Sequence, residues 1–153
     1  MFRFLGRLGF AFLVGLSACT SPRAQAADVV GGPVAAQVER VIDGDTFEAR
    51  AIVWPGTFVI KAIRTRGINA PEIASAHCPE ERAQGEKARA FLEHLVGGKT
   101  VLLYQIADDK FGGRVDAKVM TEDGRDVAAL LVDQGLAQPY QGGHRATMCA
   151  LTN

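Results

Sequence analysis

The feature that most limits how this chain folds is a run of three strand-like segments separated by two tight turns. Val38 to Ile42 is apolar and β-branched, and Asp43-Gly44 has hairpin turn chemistry. Thr46 to Val53 returns with Phe47, Ala49, Ala51 and Val53 spaced by two, so they should share one face. Trp54-Pro55-Gly56 is a second turn, and Thr57 to Arg66 reads as a third strand. Connections this short join antiparallel neighbours, so the first half is expected to be a three-stranded meander.

The period then changes. After a loop from Gly67, Pro79-Glu80-Glu81 has the composition of a helix start, with proline early and acids facing the positive end of the dipole. Ala88, Phe91, Leu92 and Leu95 recur at helical spacing as a stripe expected to be buried, and Gly97-Gly98 stops the helix after Val96. Gly85 inside it costs ~1 kcal/mol against alanine, which suggests a close backbone approach. Thr100 to Ala107 and Arg114 to Thr121 read as strands around a polar turn, Asp108 to Gly113. Asp126 can cap a helix over Val127 to Gln134, with Gly135 at its end and Leu136 to Pro139 leaving extended. This order predicts an α+β, mainly β fold: a five-stranded Greek-key barrel of the oligonucleotide-binding (OB) type with two packed helices.

With 153 residues, 48% of them hydrophobic, the chain suits one domain with a real core. Its first segment, 1–26, has signal-peptide form: Arg3 and Arg7 precede an apolar run, Leu8 to Leu16, too short to span a bilayer. Export to the periplasm, the medium or a lipid anchor is expected. Leu16-Ser17-Ala18-Cys19 resembles a bacterial lipobox with Cys19 lipidated, the only membrane attachment expected, while Ala24-Gln25-Ala26 resembles a signal-peptidase site. Residues 27–33 read as a linker and 34–153 as the domain, expected to be a monomer. Processing after residue 26 removes three of 17 bases and none of 17 acids, leaving a net charge of −3. Bulk attraction to a polyanion is thereby excluded, and contact with nucleic acid must rest on a local patch or a bound cation.

In an exported chain Cys78 and Cys149 are expected to form one disulfide. Zinc held by His77, Cys78, His144 and Cys149 is the weaker alternative, because neither His/Cys pair has the spacing of structural zinc ligands.

Three stretches carry chemistry. Ile63 to Ile73, I-R-T-R-G-I-N-A-P-E-I, ends a strand in Arg64 and Arg66 and enters a turn with Asn69, Pro71 and Glu72. Pro71 fixes its own φ and holds Ala70 extended, so Glu72 stands on stiff backbone as a candidate base. Asp43-Gly44-Asp45-Thr46 projects a carboxylate from a hairpin corner, where Asp45 and Asn69 could offer oxygens to one calcium ion. Asp-Gly is equally a common hairpin turn without any metal. Asp109-Lys110-Phe111-Gly112-Gly113-Arg114 joins two cations suited to phosphate with an aromatic face suited to a base.

In this order and around one helix, V-I-D-G-D-T, I-R-T-R-G-I-N-A-P-E and D-K-F-G-G-R resemble the staphylococcal nuclease (thermonuclease) family over Val38 to Tyr140. The resemblance implies an OB-type barrel and calcium-dependent hydrolysis of DNA and RNA. It assigns the calcium ligands to the side chains of Asp45 and Asn69 and to the Ala70 carbonyl. Glu72 takes the place of the general base, and Arg64 and Arg114 those of the two phosphate-clamping arginines. Lys110, Phe111 and Tyr140 fall where the family contacts the nucleotide, although the spacing around Tyr140 differs. Asn69 stands where the family usually has aspartate, so calcium should bind more weakly, and a catalytically weak nucleic-acid-binding module is the alternative.

Overall fold

The computed structural model describes residues 28–109, 112–143 and 149. The export segment with Cys19, the turn residues Lys110 and Phe111, and His144 lie outside them.

The meander forms as β1 (Val34–Asp43), β2 (Thr46–Trp54) and β3 (Thr57–Thr65), with Ala36 opposite Ala51 and Thr46 opposite Arg64. There follow β4 (Ile68–Asn69), α1 (Pro79–Val96), β5 (Thr100–Asp108), β6 (Arg114–Thr121), α2 (Val127–Asp133) and β7 (Gln138–Pro139). Five strands close into a barrel in the order β1-β2-β3-β6-β5, with β5 returning to β1. All the seams are antiparallel except β3–β6, which sets Ala62 opposite Arg114 and Arg64 opposite Asp116. That parallel seam turns a meander and a hairpin into a Greek-key barrel, and closure removes the long open edges a flat sheet would expose. The fold is the α+β, mainly β barrel expected. The separate two-stranded sheet of β4 and β7 is an addition that the sequence pattern did not show.

Alternation decides the interior. Ala36, Val38, Phe47, Ala49, Ile63 and Val119 are essentially fully buried, and the residues between them on the same strands face outward. α1 packs on β1 through Gly85, Ala88, Leu92, Leu95 and Val96. Phe91, expected in the stripe, is only half-buried: it lies one residue-step round the helix from Leu92, on the stripe's flank. Val53, expected to share a face with Phe47, Ala49 and Ala51, is 49% exposed while those three are buried. β1 accompanies β2 only as far as Ala51, and beyond that point the β2–β3 hairpin has left the barrel.

The helix ends follow capping rules. Asp126 accepts the Ala128 and Ala129 N–H groups at the start of α2. Pro79 stands in the first turn of α1, after Cys78. Cys78 and Cys149 are bonded as expected, 71 residues apart in sequence, which ties the chain's last described residue to the start of α1. Ahead of β1, Val30 exchanges two backbone hydrogen bonds of 2.8 Å with Ile106 of β5. No described helix is long and apolar enough to cross a membrane.

Candidate active site

The β1–β2 corner is built on Gly44. A Cβ there would lie 2.7 Å from the Cβ atoms of both Ala70 and Ala88, so only glycine lets the turn fit between the chain leaving β4 and helix α1. The corner is thereby pressed against the neighbours of Glu72. Asp45 is 8% exposed. Its Oδ1 accepts from Thr46 Oγ1 at 2.7 Å and its Oδ2 from the Ala70 N–H at 3.3 Å, while its carbonyl accepts the Thr65 N–H at 2.8 Å. Both ends of Asp45 are thus fixed to the β3–β4 segment.

Arg64 closes the arrangement. It sits near the end of β3 on the barrel's outer wall, yet is only 7% exposed, because β4 and Tyr140 cover it. Its Nη2 donates to Asp45 Oδ2 at 3.2 Å, to the Ile68 carbonyl at 3.0 Å and, more weakly, to Asn69 Oδ1 at 3.5 Å. Three oxygens from three sources therefore surround one nitrogen. By donor type, an all-oxygen set of one carboxylate, one amide and one backbone carbonyl is hard-cation chemistry. The residues present thus fit a calcium ion, with the guanidinium lying beside the same oxygens. Ala70 meets Asp45 through its amide.

β4 and β7 supply the cover. Asn69 pairs with Gln138, the Tyr140 N–H donates to the Gly67 carbonyl at 2.8 Å, and the Tyr140 hydroxyl donates to the Gly143 carbonyl at 2.8 Å. The ring centroid then stands 5.8 Å from Arg64 Cζ, within cation–π reach.

Glu72 is half-buried after Pro71, and one of its oxygens accepts from Ser75 Oγ at 3.0 Å. Gly85 supports it from behind: a Cβ there would come within 2.6 Å of the Pro71 carbonyl oxygen and 3.0 Å of that of Glu72. The close approach inferred from Gly85 is real, and it seats the loop that bears the acid. Asp43 joins the group, a residue whose signal was present in the D-G-D motif but was spent on the turn. Burial pushes its carboxyl up to about 6, against the opposing Gly44 N–H, and the negative charges of Asp45 and Glu72 add to the rise. The Ala70 N–H held by Asp45 Oδ2, two residues before Glu72, sets Glu72 on the same side of the barrel as Asp45.

Arg114 stands on the adjacent strand. Residues in register point to the same face, so Arg64, Asp116 and Arg114 share the outer wall. Two residues of offset across one strand gap put the Arg64 and Arg114 Cα atoms about 8 Å apart. The Arg114 guanidinium pairs with Asp109 at the foot of the turn. The two cysteines close near Glu81, which is 4% exposed and accepts the His77 N–H at 2.8 Å. With both sulfurs bonded to each other, the zinc alternative has no thiolate to use.

A closed barrel of this strand order is an OB-type fold, and its outer wall here carries an oxygen cradle, a neighbouring acid and two arginines, a set suited to an anionic ligand and a hard cation. The chain belongs to the staphylococcal nuclease homologue family, whose model matches residues 62–150. No curated protein matches it. Membership points to a nuclease, a phosphodiesterase acting on nucleic acid, in a family that is generally calcium-dependent. The match begins at Ala62, so Asp45 lies ahead of it, and the fold supplies the link between Asp45 and the matched residues.

Proposed function

We propose that the chain is an exported, calcium-dependent nuclease that hydrolyses phosphodiester bonds of DNA and RNA at the Asp45–Arg64–Asn69 cradle. The observation behind this is the convergence of the Asp45, Asn69 and Ile68 oxygens on the Arg64 guanidinium. Asp45 and Asn69 would hold the cation by their side chains and Ala70 by its carbonyl. Bound there, calcium would polarise a phosphoryl oxygen and offset the charge that repels an attacking water.

The remaining steps belong to side chains. Glu72 takes the proton of the attacking water, an acceptor role its carboxylate can play directly or through one further water. Arg64 and Arg114, on one wall, engage the phosphate from two sides. A planar guanidinium grips two oxygens at once and keeps its charge at any working pH. To do so Arg64 must turn part of its hydrogen bonding from Asp45 to substrate, and Arg114 must leave Asp109. Lys110, Phe111 and Tyr140 would position the nucleotide. The acidic balance of the processed chain agrees with recognition by this local patch.

Asn69 supports a second reading, a nucleic-acid-binding module with little turnover. Its neutral oxygen removes a full charge from the cation's neighbourhood, and its contact to Arg64 is the longest of the three.

One experiment separates the two. Single-stranded DNA is incubated with the purified protein at millimolar calcium, with and without chelator, alongside Glu72→Gln. The nuclease cleaves, stops with chelator, and loses nearly all turnover but not DNA binding in Glu72→Gln. Cleavage undiminished in Glu72→Gln would refute the general-base role, and binding without cleavage at every calcium level would leave the module.

A further inference from the structure

From Ala51 to Ile60 the chain runs ten residues without a charge, bracketed by Arg50 and Lys61. In the fold this stretch is the far end of the β2–β3 hairpin, past Ala51, the last residue of β2 paired with β1, and before Ala62, the first residue of β3 paired with β6. It projects beyond the barrel with no flanking strand among the described residues. Its large side chains are apolar and open to solvent: Ile52 58%, Val53 49%, Trp54 72%, Phe58 49%, Val59 42% and Ile60 48% exposed. Because successive strand residues point to opposite faces, both faces of the hairpin are apolar, and Trp54 adds the tip.

We propose that this hairpin is a membrane-interface anchor that inserts among the headgroups of a bilayer containing anionic phospholipid. A folded protein partner covers one face of a ribbon and leaves the other wet. Two apolar faces and an apolar tip call for a medium that surrounds the hairpin, and a bilayer interface does. Tryptophan is the residue most at home at that depth, and the flanking cations lie at the height of the phosphates. Arg50 stacks on the Phe58 ring at 4.4 Å, and Lys61 has no ion pair among the described residues. The open backbone edges set the limit of insertion. Buried in hydrocarbon their N–H and C=O groups would lack partners, so the hairpin stops at the interface, about 5–10 Å deep.

The placement of the rest of the chain agrees. β1 runs antiparallel to β2, so the chain enters β1 at the end of the pair where β2 reaches Trp54. Asp45 stands at the other end of β2, about 30 Å from Trp54 along the strand. Insertion leaves the oxygen cradle in water.

Trp54 is the chain's single tryptophan, so its fluorescence reads the tip alone. The full chain is titrated with vesicles of phosphatidylcholine, with and without phosphatidylglycerol, including lipids brominated high on the acyl chain. The expected result is a blue shift and bromine quenching of Trp54 that depend on the anionic lipid, with Lys61→Glu weakening apparent vesicle affinity about fivefold. The double variant I52D/F58D is expected to lose the quenching while keeping its circular dichroism. Should that variant fail to fold, Lys61→Glu and quenching of the unaltered chain decide. Vesicle-bound protein whose Trp54 stays unquenched, attached through the export segment alone, overturns the proposal. A lipid-free blue shift that grows with protein concentration and accompanies a dimer in sedimentation also overturns it, since a second copy then covers the hairpin.

Discussion

Replacing Asn69 by aspartate tests the cradle most directly. Asn69 Oδ1 shares the Arg64 Nη2 atom with Asp45 Oδ2, at 3.5 and 3.2 Å, so the substitution puts a second carboxylate beside the first. Without calcium the new charge gains attraction from Arg64 and suffers repulsion from Asp45. These nearly cancel, and stability should change by less than about 1 kcal/mol. With calcium the balance shifts. A unit charge about 4 Å from a cation is worth about 4 kcal/mol per cation charge near a protein surface, so the dication gains about 8 kcal/mol before losses. Repulsion from Asp45 and desolvation of the new carboxylate remove most of this, leaving about 1.5–3 kcal/mol, or roughly ten- to hundredfold tighter calcium binding. Calorimetric titration of calcium into Asn69→Asp and the unaltered protein measures it. The calcium concentration for half-maximal cleavage should fall in parallel. Equal calorimetric affinities would show that residue 69 is not a ligand, and the cradle would have to be abandoned as the cation site.

Other perturbations reach the same site from outside it. Gly85→Ala drives a methyl group against the Pro71 and Glu72 carbonyls; turnover should fall at least tenfold with Kd for DNA little changed, and stability by about 1–3 kcal/mol despite the better helix former. Asp43 holds its proton more tightly when folded, at about 6 against an ordinary 3.8, so its stabilising contribution is complete below pH 4 and is lost as pH rises through 6. Asp43→Asn should therefore stabilise the calcium-free protein above pH 7 and not below pH 4, as read by thermal melts across pH. A fully buried group with this shift would give about 3 kcal/mol, and solvent screening of the half-exposed carboxyl reduces that to about 1 kcal/mol. Replacing Cys78 and Cys149 by serine releases a 71-residue span and should cost about 2–4 kcal/mol in denaturant unfolding. A loss below 0.5 kcal/mol, on the order of an ordinary surface substitution, would mean that the unbridged tail holds its place by other contacts.

Much of this fold is legible from local chemistry alone. The D-G and W-P-G turns set the three-stranded meander, and helix α1 runs from Pro79 to Val96 as its caps and stripe indicate. Gly85 could be read as a close approach because a glycine in a helix otherwise has only a cost. The missed parts have physical reasons. β4 and β7 are two residues each, too short for any period, and pair across nearly 70 positions. Alternation assigns Val53 a face but not its burial, because it does not report how far the neighbouring strands extend. In the site, Asp45, Asn69 and Arg64 could be named from the motifs. Arg64 lies against Asp45 through the β2–β3 register, which sets Thr46 opposite Arg64, and Arg114 pairs with Asp109 across the β5–β6 turn. That the two arginines share one wall depends on the parallel β3–β6 seam, which no local pattern encodes.

All the side chains proposed for catalysis and metal binding precede residue 115, yet the two-residue ladder of Asn69 with Gln138 and Ile68 with Pro139 makes the far segment part of their support. A proposed metal ligand and the aromatic lid over an arginine hang from opposite rails of the same short ladder. A premature stop at codon 137 would therefore spare every reacting group and still produce a protein whose pocket has lost one wall.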